Sequence, residues 1–204
     1  MEYDYKIATI TSHVKLDTVI DTNKLKEYMT IHQLYQNTST KPRKQFRNQF
    51  TTTIPIMDEW IKTGGKIHNV SLKIFNNGRL HMTGCNSDSM IKAIISKAIA
   101  LIIVSNSVGL PNFTVHKHEV LMINTSFDVG KKLCLHTLWM KLLKEYNLCS
   151  TYDLKVYVGI NSKYISSSGD QVTMLIFNSG KVILTGPKNI ESINEAFKFI
   201  KSIV

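Results

Sequence analysis

Residues 74–84 read IFNNGRLHMTG, and residues 176–186 read IFNSGKVILTG. Six of the eleven positions are identical, and the two copies lie 102 residues apart in a chain of 204. A duplication spaced at half the chain length restricts the fold to those built from two like units. The identical pairs are Ile74/Ile176, Phe75/Phe177, Asn76/Asn178, Gly78/Gly180, Thr83/Thr185 and Gly84/Gly186. Asn77/Ser179, Arg79/Lys181, Leu80/Val182 and Met82/Leu184 keep their character, and only His81/Ile183 differs in kind.

Each copy starts as a β-forming apolar run, Val70–Phe75 or Val172–Phe177. Asn-Gly or Ser-Gly then supplies the positive φ angles of a tight hairpin, and the chain returns to Gly84 or Gly186. A helix follows each hairpin. Asn86 or Ser87 caps the first, with Asp88 in its opening turn; Asn189 caps the second, with Glu191 in its opening turn. Ile91, Ile94, Ala98 and Ile102, and Ile190, Ile193, Phe197, Ile200 and Val204, fall at helical spacing along one stripe. Upstream, the same order recurs more faintly. Residues 5–14 alternate as a strand, Asn23–Gln36 is helical, a basic loop holds Lys41-Pro42-Arg43-Lys44, and a strand is expected near Phe46–Ile54. In the second half the strands are expected at Val120–Phe127 and Leu154–Ile160, with a helix over residues 134–146 between them. Each half thus reads strand, helix, three strands, helix. The chain divides into 1–110 and 111–204 as two pseudo-symmetric halves of one α+β body.

Strand alternation sends Met174, Ile176, Val182 and Leu184 to one face, and Leu175, Phe177, Ile183 and Thr185 to the other. Helices cover one face. The other is also apolar and needs a second cover: another sheet, another protein, or a ligand that tolerates apolar contact.

At 43% hydrophobic and 20% charged residues the composition is that of a globular chain, and the net charge of +10 admits a nucleic acid or an anionic membrane surface as partner. Met1-Glu2-Tyr3-Asp4 shows no signal peptide, so secretion is not expected. The apolar stretch Ile91–Val104 contains Lys92 and Lys97 and is too short to span a bilayer. Three cysteines, Cys85, Cys134 and Cys149, make an odd count with no C-x-x-C, which points away from a disulfide framework and towards a reducing compartment. His116 and His118 share a strand face without a third ligand, so no metal is expected. No phosphate-binding loop, nucleophile elbow, zinc-protease motif or dinucleotide fingerprint is present. Neither enzymatic chemistry, a cofactor nor a small-molecule substrate has a carrier in the sequence.

The hairpin LIFNSGKVILTG at 175–186 resembles the TATA-box-binding protein family almost residue for residue, and 73–84 is a looser copy. IATIT at 7–11 is similar to that family's opening strand, and DVGKKLCLHTL at 128–138 to the entry into its second-half helix. The divergence and the Lys/Asn/Ile-rich composition look like members from large DNA viruses. The resemblance implies a saddle: one curved antiparallel sheet of ten strands with four helices on the convex face. The concave apolar face would lie along the minor groove of A·T-rich DNA, with aromatic wedges that kink the duplex, the behaviour for which this family is the type case.

Carried over by residue, Phe75 and Phe177 match the hairpin member of each wedge pair. Phe46 or Phe50 is the candidate second wedge of the first half, and Tyr152 that of the second. Leu175, Ile183 and Thr185 match the second-half floor, Thr83 the first-half floor, and Ile7 and Thr9 the opening strand. Arg79 and Lys181 match phosphate-contacting positions, with Asn77 and Ser179 beside them in the turns. Three departures stand out. The central Asn of each opening strand is replaced by Tyr5 and Met122, with Asn124 two residues on as a substitute; Lys73 and His81 replace apolar floor residues; and the connection over 55–69, with Met57, Trp60 and Gly64-Gly65, is long enough to hold a partner.

The resemblance implies a non-enzymatic transcription initiation factor binding A/T-rich promoter DNA and recruiting a factor-IIB-like protein and RNA polymerase. It would work in the nucleus or in a viral factory in the host cytoplasm, with packaging in the virion as a further expectation. The alternative is an interaction subunit of a transcription complex that keeps the fold without strong DNA binding. An accessory domain of a nuclease or glycosylase is a third class, disfavoured because no catalytic domain accompanies it.

Overall fold

The computed structural model describes residues 4–32, 34, 48–57, 67–106 and 115–204, except the side chains of Met57 and His116. Among these residues the chain forms nine strands and four helices, one strand fewer than the ten the resemblance implies. Contacts divide it into two units, Ile10–Val120 on one hand and Met1–Thr9 with Leu121–Val204 on the other.

In the Ile10–Val120 unit the elements are β1 (Lys6–Leu16, whose first residues belong to the other unit), α1 (Thr22–Ile31), β2 (Gln49–Met57), β3 (Ile67–Phe75), β4 (Arg79–Cys85) and α2 (Asp88–Asn106). The strand order is β2-β3-β4-β1, antiparallel throughout. Leu72, Ile74, Leu80 and Met82 are fully buried, and α2 packs over β2 and β4, so alternation along the hairpin sends one row of side chains under the helix. α1 stops at Ile31, short of the expected end at Gln36; Gln36 itself lies outside the described residues. Asp21 caps it by accepting from the Asn23 and Lys24 amides, and Leu34 N bonds back to Met29 O.

The other unit contains β5 (Val115–Asp128, whose start belongs to the first unit), α3 (Leu135–Lys144), β6 (Ser150–Thr151), β7 (Ile160–Ile165), β8 (Gln171–Ile176), β9 (Lys181–Thr185) and α4 (Ile190–Ile203), in strand order β5-β9-β8-β7-β6. α3 lies on β6 and β7, and α4 on β8 and β9. Met174, Ile176, Val182 and Leu184 are fully buried in a core shared with Leu138, Leu142, Ile193 and Ile200. The expected helix starts appear: Asn189 Oδ1 accepts from Ser192 N at 2.8 Å, and Ser87 Oγ from Met90 N at 3.3 Å.

One expected strand is not there. Asp153 starts a turn that runs to Tyr157 and is followed by a bend at 158–159, because its side chain takes the Lys155 amide and its carbonyl takes those of Val156 and Tyr157. β-branched residues there are overridden by this local bonding, and the strand begins only at Ile160.

The repeat itself has a structural cause. Leu16 N bonds to Gly78 O and Ile20 N to Asn76 O; in the other unit Val129 N bonds to Gly180 O and Leu133 N to Asn178 O. Each hairpin thus fastens the segment that leaves its unit's first strand. Asn178 Nδ2 adds a bond to Leu133 O at 2.8 Å, and Asn76 Oδ1 accepts from Thr22 Oγ1 at 2.6 Å. Gly78 and Gly180 sit at φ +81° and +93°, and a Cβ would collide with the Leu16 and Thr18 carbonyls in one unit and the Lys131 carbonyl in the other.

Candidate functional site

Structure explains four of the six identical positions in each copy: Ile74/Ile176 by the core, Asn76/Asn178 and Gly78/Gly180 by the fastened loop, and Gly84/Gly186 by φ angles of +107° and +115°. Phe75/Phe177 and Thr83/Thr185 are not used this way. All four lie on the sheet face away from the helices, where none is buried.

In the unit containing Leu121–Val204 that face is a lattice of two cross-strand rows. One runs Ser126, Ile183, Leu175, Asn161; the next runs Asn124, Thr185, Thr173, Lys163. Thr185 Oγ1 donates to Asn124 Oδ1, Asn124 Nδ2 donates to Thr9 Oγ1 at 2.8 Å, and Lys163 Nζ donates to Thr173 Oγ1 at 2.7 Å. Asn124 therefore stands on this face, as the sequence suggested, while Tyr5 does not. The Tyr5 hydroxyl bonds to Asn194 Oδ1 at 2.6 Å and its ring lies 5.5 Å from that of Phe197 on α4. Ile7 and Thr9 are half-buried on β1.

At the end of the face, the Phe177 ring has Tyr157 as neighbour, centroids 5.9 Å apart. Tyr157 is 37% exposed and comes from the 153–157 turn that replaced the expected strand. Gly159 permits the approach, since a Cβ there would lie 2.7 Å from Ile176 O and 3.2 Å from the Phe177 ring. Tyr152, the expected second wedge, is instead packed with the core beside Trp139, their centroids 6.2 Å apart. Sequence alternation missed Tyr157 because a turn, not a strand, presents it; the usable sign was a Tyr two residues before a Gly.

In the Ile10–Val120 unit the equivalent rows are His13, His81, Lys73, Thr51 and Thr11, Thr83, Ser71, Thr53. Phe75 stands beside them, opposite Gln49. Phe50 is not a wedge: its register partner is Ile74, and at 5% exposure it belongs to the helix-covered core. Phe46, Trp60, Gly64-Gly65 and the Lys41–Lys44 loop lie outside the described residues. His13 pairs with Glu119 at 3.1 Å, and Glu119 also meets Lys117. Burial first, then the charges of Lys73 and His13, hold the His81 imidazole below the ordinary histidine range, so it is neutral at pH 7 rather than a source of charge.

Asn77 and Ser179 are exposed at the hairpin tips, where they accept from the Arg79 and Lys181 amides at 3.1 and 3.4 Å; Arg79 and Lys181 are themselves exposed. Among the described residues no three His, Cys, Asp or Glu side chains are grouped to hold a metal, and no helix is long and apolar enough to cross a membrane. The arrangement offers aromatic faces, a shallow apolar floor, paired hydroxyls and amides, and flanking cations.

Residues 118–204 match the family described as transcription factor TFIID, or TATA-binding protein. The whole chain aligns at 27% identity with 65% of a TATA-box-binding protein-like protein of Acanthamoeba polyphaga mimivirus. TATA-box-binding proteins 1 and 2 of Entamoeba histolytica are 36% identical over 135 residues, covering 64% of this chain and 51% and 57% of theirs. The chain therefore spans between about half and two thirds of the length of these relatives. A solved TBP from Methanococcus jannaschii shares the fold, with a TM-score of 0.69 over 98% of both chains at 21% identity.

Proposed function

We propose that this chain, a divergent member of the TATA-box-binding protein family, is a non-enzymatic transcription initiation factor that binds and bends A/T-rich promoter DNA through the minor groove. The observation that carries the reading is the pairing of Phe177 with Tyr157 beside the apolar Leu175 and Ile183, on the sheet face away from the described helices, where none of the four is fully buried.

Each group has a physical task. Phe177 and Tyr157 enter a base step as a wedge, trading base stacking for aromatic contact, as is typical of the family. The Tyr157 hydroxyl keeps a polar edge that Phe would lack, which makes it the weaker wedge. Leu175 and Ile183 lie against sugars and base edges, where the groove offers few polar groups to distinguish one A·T orientation from the other. Thr185 and Asn124 present a bonded hydroxyl–amide pair to the acceptors of central base pairs. Arg79 and Lys181 reach phosphates, and the net charge of +10 makes encounter salt-sensitive. A factor-IIB-like protein and RNA polymerase are the partners this role requires, and its setting is the nucleus or a viral factory in the host cytoplasm.

A second reading has one observation in its favour. Lys73 and His81 take the places that Leu175 and Ile183 hold in the other unit, which suits a fold kept as an interaction subunit without strong DNA binding. Gel shift and fluorescence bend assays on an A/T-rich duplex separate the two. Under the DNA-binding reading, Phe177→Ala weakens binding by on the order of tenfold and reduces the bend. Its folding stability falls by much less than the roughly 3–5 kcal/mol of a buried Phe. Absence of binding by the wild-type chain, with capture of a transcription factor in its place, would favour the second reading.

A further inference from the structure

We propose that the exposed sheet face of the Ile10–Val120 unit accepts G·C pairs, so that the promoter element is A·T-restricted on one side and mixed in composition on the other. This rests on the DNA-binding reading and adds to it the composition of the target.

In the minor groove every base pair presents acceptors, and G·C alone adds the guanine 2-amino group, a donor that projects into the groove. A flush apolar floor leaves that donor buried and unpaired, which costs on the order of tenfold in affinity per pair. Leu175 opposite Ile183 is such a floor. At the equivalent places the other unit has Lys73 opposite His81. Lys73 is exposed on a flexible stem, so it moves aside for the amino group, and its ammonium donates to the acceptors that all pairs share. His81 is neutral and therefore keeps one acceptor nitrogen.

Two buried atoms of this face, His81 Nε2 and Thr11 Oγ1, have no hydrogen-bond partner among the described residues. They are polar groups that a donor from the groove would satisfy. Along the two rows these other positions are polar in both units, Thr83 answering Thr185, Ser71 answering Thr173, Thr51 answering Asn161 and Thr53 answering Lys163, and Asn161 Oδ1 is likewise without a partner among the described residues. Discrimination therefore falls to Lys73 and His81.

The test uses the full chain and an A/T-rich duplex in which one A·T pair at a time becomes G·C, then inosine·C. Inosine lacks the 2-amino group, so inosine·C has the minor-groove face of A·T. On one side of the element G·C should lower affinity on the order of tenfold and inosine·C should restore it. On the other side G·C should cost less than about threefold. In the double variant Lys73→Leu/His81→Val the tolerant side should acquire the tenfold penalty, and that change identifies it as the side met by this unit. Lys73→Leu alone, at an exposed position, should show part of the effect and serves if the double variant does not fold. Equal penalties on both sides in the wild type, or tolerance unchanged by the substitutions, would overturn the inference while leaving DNA binding intact. Failure to bind any A/T-rich duplex would overturn both.

Discussion

His81 is where the two copies of the repeat differ in kind, and its environment makes it a pH-dependent element of stability. Burial, with Lys73 and His13 nearby, lowers its folded pKa below the ordinary value of about 6.5. As pH falls below about 6.5 the unfolded chain takes up this proton before the folded chain does. The folded state is therefore favoured above that pH and loses stability as pH falls towards the folded pKa. Denaturant melts of wild type and His81→Val at several pH values should show the wild type losing ground relative to the variant on acidification. A constant difference across pH 7 to 5 would contradict the assigned environment. The residue type was legible in the sequence, but its protonation state was not, since that depends first on burial and then on Lys73 and His13 in neighbouring strands. Tyr157 was hidden for a related reason, because its place beside Phe177 follows from the turn made by Asp153.

At the scale of elements, the hairpins were the most legible feature, because turn chemistry and alternation agree there. The sequence also located the caps at Ser87 and Asn189, which are local decisions. It misplaced the strand at Leu154–Ile160, where a side chain competes with the sheet for backbone donors, and it ran α1 past Ile31 because apolar spacing says nothing about where the cap falls. What the sequence could not supply was the reason for keeping Asn and Gly in both turns, namely the loop each hairpin fastens. That reason is testable. Gly180→Ala places a Cβ against Lys131 O at a φ of +93°, so it should destabilise by at least about 1–3 kcal/mol. Gly169 has a similar φ of +84° but open space around its Cβ position, so Gly169→Ala should cost less. Urea melts of the two variants compare strain alone with strain plus collision, and equal losses would argue against the fastening role.

At the scale of the whole molecule, the sequence repeat and the contact map divide the chain differently. The repeat pairs residues 1–110 with 111–204, whereas contacts group Met1–Thr9 with Leu121–Val204. The chain's opening residues therefore stabilise the unit that is distant in sequence. Tyr5 bonds to Asn194 and packs on Phe197, and Thr9 accepts from Asn124. No periodicity argument reveals this, because a strand's pattern does not state which neighbour it joins. Tyr5→Ala removes the hydrogen bond to Asn194 and the ring contact with Phe197 among its interactions, a loss of at least about 1–2 kcal/mol. Hydrogen exchange should locate that loss: amides of α4 and β9 should lose protection, while those of β3, β4 and α2 should keep theirs. The reverse pattern would place the opening segment with the unit that follows it in sequence. A truncation lacking residues 1–9 should reproduce the effect with larger amplitude, since it also removes the Thr9 acceptor from Asn124. It should weaken DNA binding as well, because Asn124 holds the Thr185 hydroxyl on the exposed face.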